Sequence, residues 1–187
     1  NKNVNLLTEL SLPEKKADIW GIYAGTLGEN YDILTLLKAA KAIKHKFPEL
    51  KILIAGAGPL ENLVRDYADV NENIYYLGSL PTEQLYKLFS FCDFGFSTYS
   101  DASTVSMPIK CFDYFAAGLP LVNSLNRNLG SLIKQHNIGY QYVASNYQSL
   151  IDTLTTLVTN KQDLKGMNRR CKLLSKDFDN DVQYNQF

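Results

Sequence analysis

Short apolar runs and amphipathic stretches alternate about six times along this chain. Ile19 to Gly25 is a nearly unbroken apolar run ending at a glycine, which predicts a buried strand. From Tyr31 to Lys46, apolar residues at Ile33, Leu34, Leu36, Leu37, Ala40 and Ile43 keep helical spacing, and Pro48 closes that region. Lys51 to Ala55 predicts a second strand, ended by Gly56-Ala57-Gly58-Pro59, and a helix over Leu60 to Asp69 follows. Asn73 to Leu77 predicts a third strand. Pro81-Thr82-Glu83-Gln84 then opens a helix toward Ser90, because proline suits the first turn and an acid suits the positive end of the dipole. Phe91 to Ser97 predicts a fourth strand, followed by a polar loop from Thr98 to Ser106. A helix from Pro108 to Ala117 stops at Gly118 and Pro120. Leu121-Val122 is a fifth strand, Gly130 to His136 a helix, and Gly139 to Val143 a sixth strand. Helices over Tyr147 to Thr159 and Asp163 to Ser175 complete the series, leaving a polar tail, Asp177 to Phe187, with no clear period.

Strand and helix in such regular alternation predict an α/β fold: a doubly wound, six-stranded, mostly parallel sheet with helices on both faces and helices at the C-terminus. In such sheets ligands bind at the carboxyl ends of the strands, near the switch in strand order. Four loops follow strands and so share that edge: Gly25 to Asn30, Gly56 to Pro59, Gly78 to Leu80, and Thr98 to Ser106.

Composition narrows the partners. The chain has 187 residues, 45% of them apolar and 20% charged, which suits one domain over residues 1–187 with 177–187 as a tail. Nineteen Lys+Arg balance nineteen Asp+Glu, which argues against a nucleic-acid partner and makes any anion site a local feature. No apolar run approaches the ~20 residues of a membrane span. Asn1 to Leu10 lack both a signal-peptide pattern and an initiator Met, so the chain reads as a piece of something longer. Cys92, Cys111 and Cys171 have neither metal nor redox spacing and read as reduced thiols of a cytosolic protein. His45 and His136 are far apart and read as packed or solvated imidazoles; no metal site is expected.

The loops offer anion chemistry. Gly25-Thr26-Leu27-Gly28 lets backbone amides approach a phosphate, and it lacks the dinucleotide fingerprint. Gly56-Ala57-Gly58 is a second candidate, with a plain tight turn as the equal alternative. The hydroxyl-rich loop ending at Ser106 runs into the helix that starts at Pro108, whose free N–H groups suit an anion. Lys110 and Asp113 share one face of that helix. A cation beside phosphates and a carboxylate one turn on suit a nucleoside diphosphate, the carboxylate accepting from both ribose hydroxyls. A solvated ion pair worth ~0.2–0.5 kcal/mol is the equal alternative.

At this point the chain resembles the C-terminal, donor-binding domain of a GT-B, family 4-like glycosyltransferase of bacterial capsule, exopolysaccharide or lipopolysaccharide synthesis. The likeness rests on Tyr23-Ala24-Gly25-Thr26-Leu27-Gly28, Leu53 to Leu60, Ile74 to Leu80, and Met107-Pro108-Ile109-Lys110 with Phe112 to Pro120. It spans about Asp18 to Leu157. The resemblance implies retaining transfer of a sugar from a nucleoside diphosphate sugar, UDP by weight of the family, with no obligatory metal and no cofactor beyond that donor. It implies Asp113 at the ribose, Leu77, Gly78 and Leu80 at the base, and Gly25 and Thr26 at the diphosphate. Gly56, Gly58, Ser106 and Lys110 complete the expected donor contacts. A glycan or lipid-linked acceptor belongs to a missing N-terminal half. The domain is expected in the cytoplasm, at the inner face of the membrane in the full-length protein, with any membrane contact made by that half.

Three positions depart from the family pattern: Thr26 and Tyr31 stand where Arg and Lys are usual, and Val105 where a Glu is usual. Lys110 is expected to supply part of the missing positive charge and Asp101 to stand in for the carboxylate, so these two are the catalytic candidates. A sugar-nucleotide epimerase, a receiver-like or flavin-binding module, and a catalytically silent nucleotide-sugar-binding domain are the rival readings. Asp177-Phe178-Asp179 has metal-motif spacing but reads as solvated charge in the tail.

Overall fold

A computed structural model describes residues 2–184 of the chain, with side-chain surroundings for 6–178. The elements are α1 (Lys2–Glu9), β1 (Ile19–Ala24), α2 (Ile33–Ile43), β2 (Leu50–Ala55), α3 (Glu61–Val70), β3 (Ile74–Gly78), α4 (Thr82–Phe89) and β4 (Phe94–Ser97). Then come α5 (Lys110–Ala116), β5 (Leu121–Asn123), α6 (Asn128–His136), β6 (Gly139–Gln141), α7 (Tyr147–Thr159), a 3-10 turn (Lys161–Asp163) and α8 (Leu164–Tyr184). All six strands pair in parallel, in the order β3-β2-β1-β4-β5-β6. The α/β, doubly wound architecture expected from the sequence is therefore present, and the order reverses between β1 and β4.

β1 is buried along its whole length because helices cover both faces of the sheet. Its side chains alternate: Ile19 and Tyr23 join one apolar layer with α2 and α7, while Trp20, Ile22 and Ala24 join the other with α4, α5, α6 and α8.

Several boundaries moved. β4 begins at Phe94, not Phe91, because the Phe91 and Cys92 N–H groups donate to Leu88 and Phe89 and finish the turn after α4. The sixth strand stops at Gln141 rather than Val143. Helix α5 starts at Lys110, not Pro108. The expected tail is helical as far as Tyr184, continuing α8, and the Phe178 ring packs edge-on against Phe112 with centroids 5.0 Å apart. That contact anchors a segment whose polar composition hid it; residues 185–187 lie outside the described part. Helix α1 was not foreseen, since Leu6 and Leu7 are too few to show a period, yet both are buried against the α4–α8 layer. No described helix is long and apolar enough to cross a membrane. All three cysteines are free thiols.

Candidate functional site

The carboxyl ends of β1, β2 and β3 meet α4 and α5 around a cleft of about 330 Å3. Gly25, Thr26, Gly56 and Ala57 form one wall; Ser79, Leu80, Leu85 and Phe89 form the second; Lys110, Asp113 and Tyr114 of α5 close the third. Six residues expected from the sequence are thereby brought together: Gly25, Thr26, Gly56, Leu80, Lys110 and Asp113.

The two glycine loops touch. A Cβ on Gly56 would lie 1.8 Å from the Gly25 carbonyl oxygen, and one on Gly58 2.5 Å from that of Leu27. Leu27 and Gly25 in turn donate to the carbonyls of Ala57 and Ala55, both at 2.9 Å. The G-x-G is thus a backbone crossing that presents Gly56 to the cleft and keeps Gly58 behind it. Among the described residues, the Thr26 and Ala57 amide N–H groups have no internal acceptor. Such amides at the cleft wall are ready donors for an anion.

Hydroxyls brace the first loop. The Tyr114 hydroxyl accepts from Ala24 N–H at 2.9 Å, and the Tyr23 hydroxyl donates to the Thr26 carbonyl at 2.6 Å. Burial pushes both phenols well above their ordinary range, so they stay protonated. Lys110 Nζ reaches back to within 3.4 Å of the Ala24 carbonyl oxygen. Partial burial draws it below the ordinary lysine value, against an opposing pull from Asp113. No ion pair joins Lys110 to Asp113 among the described residues, so the solvated-pair alternative is not what the helix adopts. Asp113 Oδ1 instead accepts from the Tyr86 hydroxyl of α4 at 3.2 Å.

The other sequence-derived candidates lie elsewhere. Leu77 points into the core layer behind the cleft, and the Gly78 carbonyl is taken by Gly56 N–H at 2.8 Å. Ser106 caps α6: its hydroxyl accepts from Asn128 N–H at 3.4 Å and its carbonyl from Leu129 N–H at 3.1 Å. Asp101 is exposed and outside the cleft, because its backbone N–H and carboxylate both engage the Ser145 hydroxyl. The helix start offers less than expected, since the Cys111 and Phe112 N–H groups already bond Pro108 and Ile109 in a tight turn. Leu85, Phe89 and Tyr114 were missed in the sequence. Tyr114 had one visible signal, its place four residues after Lys110 on the same helix face.

A second cavity, about 270 Å3, adjoins the first on the far side of Lys110. The two share Ala24, Gly25, Lys110 and Tyr114. Tyr31 and Val105, two of the three departures from the resemblance, both line this cavity. No cluster of His, Cys, Asp or Glu suited to a metal occurs among the described residues.

Comparison with known proteins adds four findings. The family described as "Glycosyl transferases group 1" matches residues 9–173. A curated relative, chitobiosyldiphosphodolichol beta-mannosyltransferase of Eremothecium gossypii, is 27% identical over 161 residues, covering 81% of this chain and 34% of that protein. The chain thus spans about a third of that relative's length. The catalytic domain of cholesterol-alpha-glucosyltransferase from Helicobacter pylori superposes with a TM-score of 0.71 at 16% identity, over 87% of this chain and 99% of that one. Anabaena HepE, solved in complex with UDP, gives a TM-score of 0.74 at 12% identity, over 94% of this chain and 48% of that one. At these identities the two structures speak to the fold.

Proposed function

The chain belongs to the glycosyl transferases group 1 family, and from that footing we propose that it is the donor-binding domain of a glycosyltransferase using a nucleoside diphosphate sugar. The carrying observation is the convergence of Lys110, Asp113 and the unpaired Thr26 and Ala57 amides on one cleft at the carboxyl edge of the sheet. In this reading Asp113 accepts from the ribose hydroxyls, Leu80, Leu85 and Phe89 pack the base, and Lys110 with the loop amides meets the diphosphate. Uridine is the favoured base, since UDP is bound by a protein of this fold.

The bond between the anomeric carbon and the β-phosphate oxygen breaks, and its electron pair stays on the phosphate. The acceptor oxygen then bonds the anomeric carbon with retained configuration and releases its proton to the departing phosphate or to solvent. Preorganised amides and a cation aimed at the phosphate lower the barrier as that charge develops. Asp101 is given no part, since its carboxylate is held on Ser145. The acceptor, a glycan or lipid-linked sugar of a bacterial surface polysaccharide, is assigned to a further domain, and the reaction to the cytoplasmic side of a membrane.

Calorimetric titration of the chain with UDP and GDP tests this, with Asp113→Ala as control. Binding of one nucleotide, lost in the variant, is expected. Wild-type affinity in Asp113→Ala would sink the ribose assignment, and no binding of either would sink the donor reading. A silent, binding-only domain is the second reading, favoured by the absence of a carboxylate from the second cavity; turnover by the full-length protein separates the two.

A further inference from the structure

Lys110 and Asp113 carry opposite charges three positions apart on α5, a spacing at which such side chains ordinarily pair. Here each has a different partner. Lys110 Nζ reaches the Ala24 carbonyl oxygen, 3.4 Å away at the end of β1. Asp113 Oδ1 accepts from the Tyr86 hydroxyl of α4 at 3.2 Å, and among the described residues no other group donates to that carboxylate. The Asp113 charge, and the hydrogen bond with it, raise the Tyr86 phenol above its ordinary 10.0, so the hydroxyl keeps the proton it donates. Tyr86 is 49% exposed, and its place is set by its ring. That ring packs against Phe89 with centroids 6.0 Å apart, and Phe89 packs against Tyr114 with centroids 5.1 Å apart. The three rings bridge α4 to α5 and bring the Tyr86 hydroxyl to Asp113.

We infer that Tyr86 is a positioning residue: by holding Asp113 it keeps the carboxylate from closing onto Lys110, and so leaves both charges free for the donor. The inference rests on the donor reading above. If Asp113 turned to Lys110, one ion pair would consume both groups, and the ribose would lose its acceptor as the diphosphate lost its cation. A part-exposed ion pair within one short helix is a weak interaction, whereas a hydrogen bond to a carboxylate is a comparatively strong one, so a single hydroxyl is enough to prevent that pairing. A carboxylate has about four lone-pair sites, so Tyr86 at Oδ1 still leaves room for both ribose hydroxyls.

The test is a double-mutant cycle on the 187-residue chain: Tyr86→Phe, Lys110→Ala and the two together. Each form is titrated with UDP and 2′-deoxy-UDP, or with GDP and 2′-deoxy-GDP if guanine is the base that binds. Tyr86→Phe keeps the ring against Phe89 and removes only a half-exposed hydroxyl, so the melting temperature is expected to stay unchanged. With Lys110 present, the variant is expected to weaken the ribonucleotide about fivefold and to shrink its advantage over the 2′-deoxy form. With Lys110 removed, Asp113 has no cation to turn to, and the same substitution is expected to move the ribonucleotide less than about twofold. A loss of similar size in both backgrounds would make Tyr86 a direct ligand contact and overturns the inference. An effect below about twofold with Lys110 present overturns it too, as does a loss that leaves the 2′-hydroxyl advantage intact. A chain that binds no nucleotide at all overturns the donor reading, and this inference falls with it; a chain that binds the nucleotide but shows no coupling between Tyr86 and Lys110 overturns this inference alone.

Discussion

The Tyr114 hydroxyl takes the backbone N–H of Ala24 at 2.9 Å, and these two residues form part of the wall common to both cavities. Through this bond, α5, which carries Lys110 and Asp113, is registered against the end of β1, which carries Gly25 and Thr26. Tyr114→Phe leaves the buried Ala24 amide without an acceptor. We expect a loss of about 1–3 kcal/mol in urea unfolding. Nucleotide affinity should fall with it, although the phenyl ring still fills the same space.

Lys110 is the cation nearest the glycine loop, and burial already holds it below the ordinary lysine value of 10.5. Its charge, and with it anion affinity, is present below that depressed pKa and is lost as pH rises through it. Nucleoside diphosphate binding should therefore weaken on the alkaline side. A bound anion stabilises the ammonium, so binding there should take up protons, which calorimetry in buffers of different ionisation enthalpy detects. Lys110→Ala should cost about tenfold in affinity and flatten the pH profile. Lys110→Arg should keep affinity to higher pH.

Gly56 has no room for a side chain: its Cβ would sit 1.8 Å from the Gly25 carbonyl oxygen, and its φ of +154° already disfavours one. Gly56→Ala should destabilise the chain by on the order of 3 kcal/mol and push Gly25 out of place. Thermal unfolding reads the first effect and nucleotide titration the second. Gly28→Ala, whose nearest neighbour would lie 3.6 Å away, should change neither by much.

Alkaline pH should unfold this protein early. Burial pushes the Cys111 and Cys171 thiols from 9.0 up to about 12, and the Tyr99 phenol from 10.0 up to about 12. The Tyr142 phenol, beside Asp32, is held well above its usual value too. Each group is protonated in the native state and ionises sooner when unfolded. Their contribution is complete below pH 9 and is lost progressively as pH rises toward 12. Melting temperatures measured from pH 7 to 11 should stay level and then drop above about pH 9.

The alternation of Ile19–Ala24, Leu50–Ala55, Ile74–Gly78 and the later strands with amphipathic helices was enough to determine the fold class and the sheet edge on which the cleft opens. Periodicity and turn residues are local, so the chain itself carries them. Asp113 and Lys110 were legible for the same reason, sitting one turn apart on a single short helix. Only the tertiary structure decided which loop residues meet. Gly58 and Ser106 look like site residues in the sequence, yet one supports a backbone crossing and the other caps α6. Asp101, equally polar and close in sequence, is drawn away by Ser145, 44 positions later. Tyr31 and Tyr99 come from different loops and meet only because β1 and β4 are neighbours in the sheet. Hydrogen bonds and packing between distant segments aim side chains, and no local pattern encodes those partners.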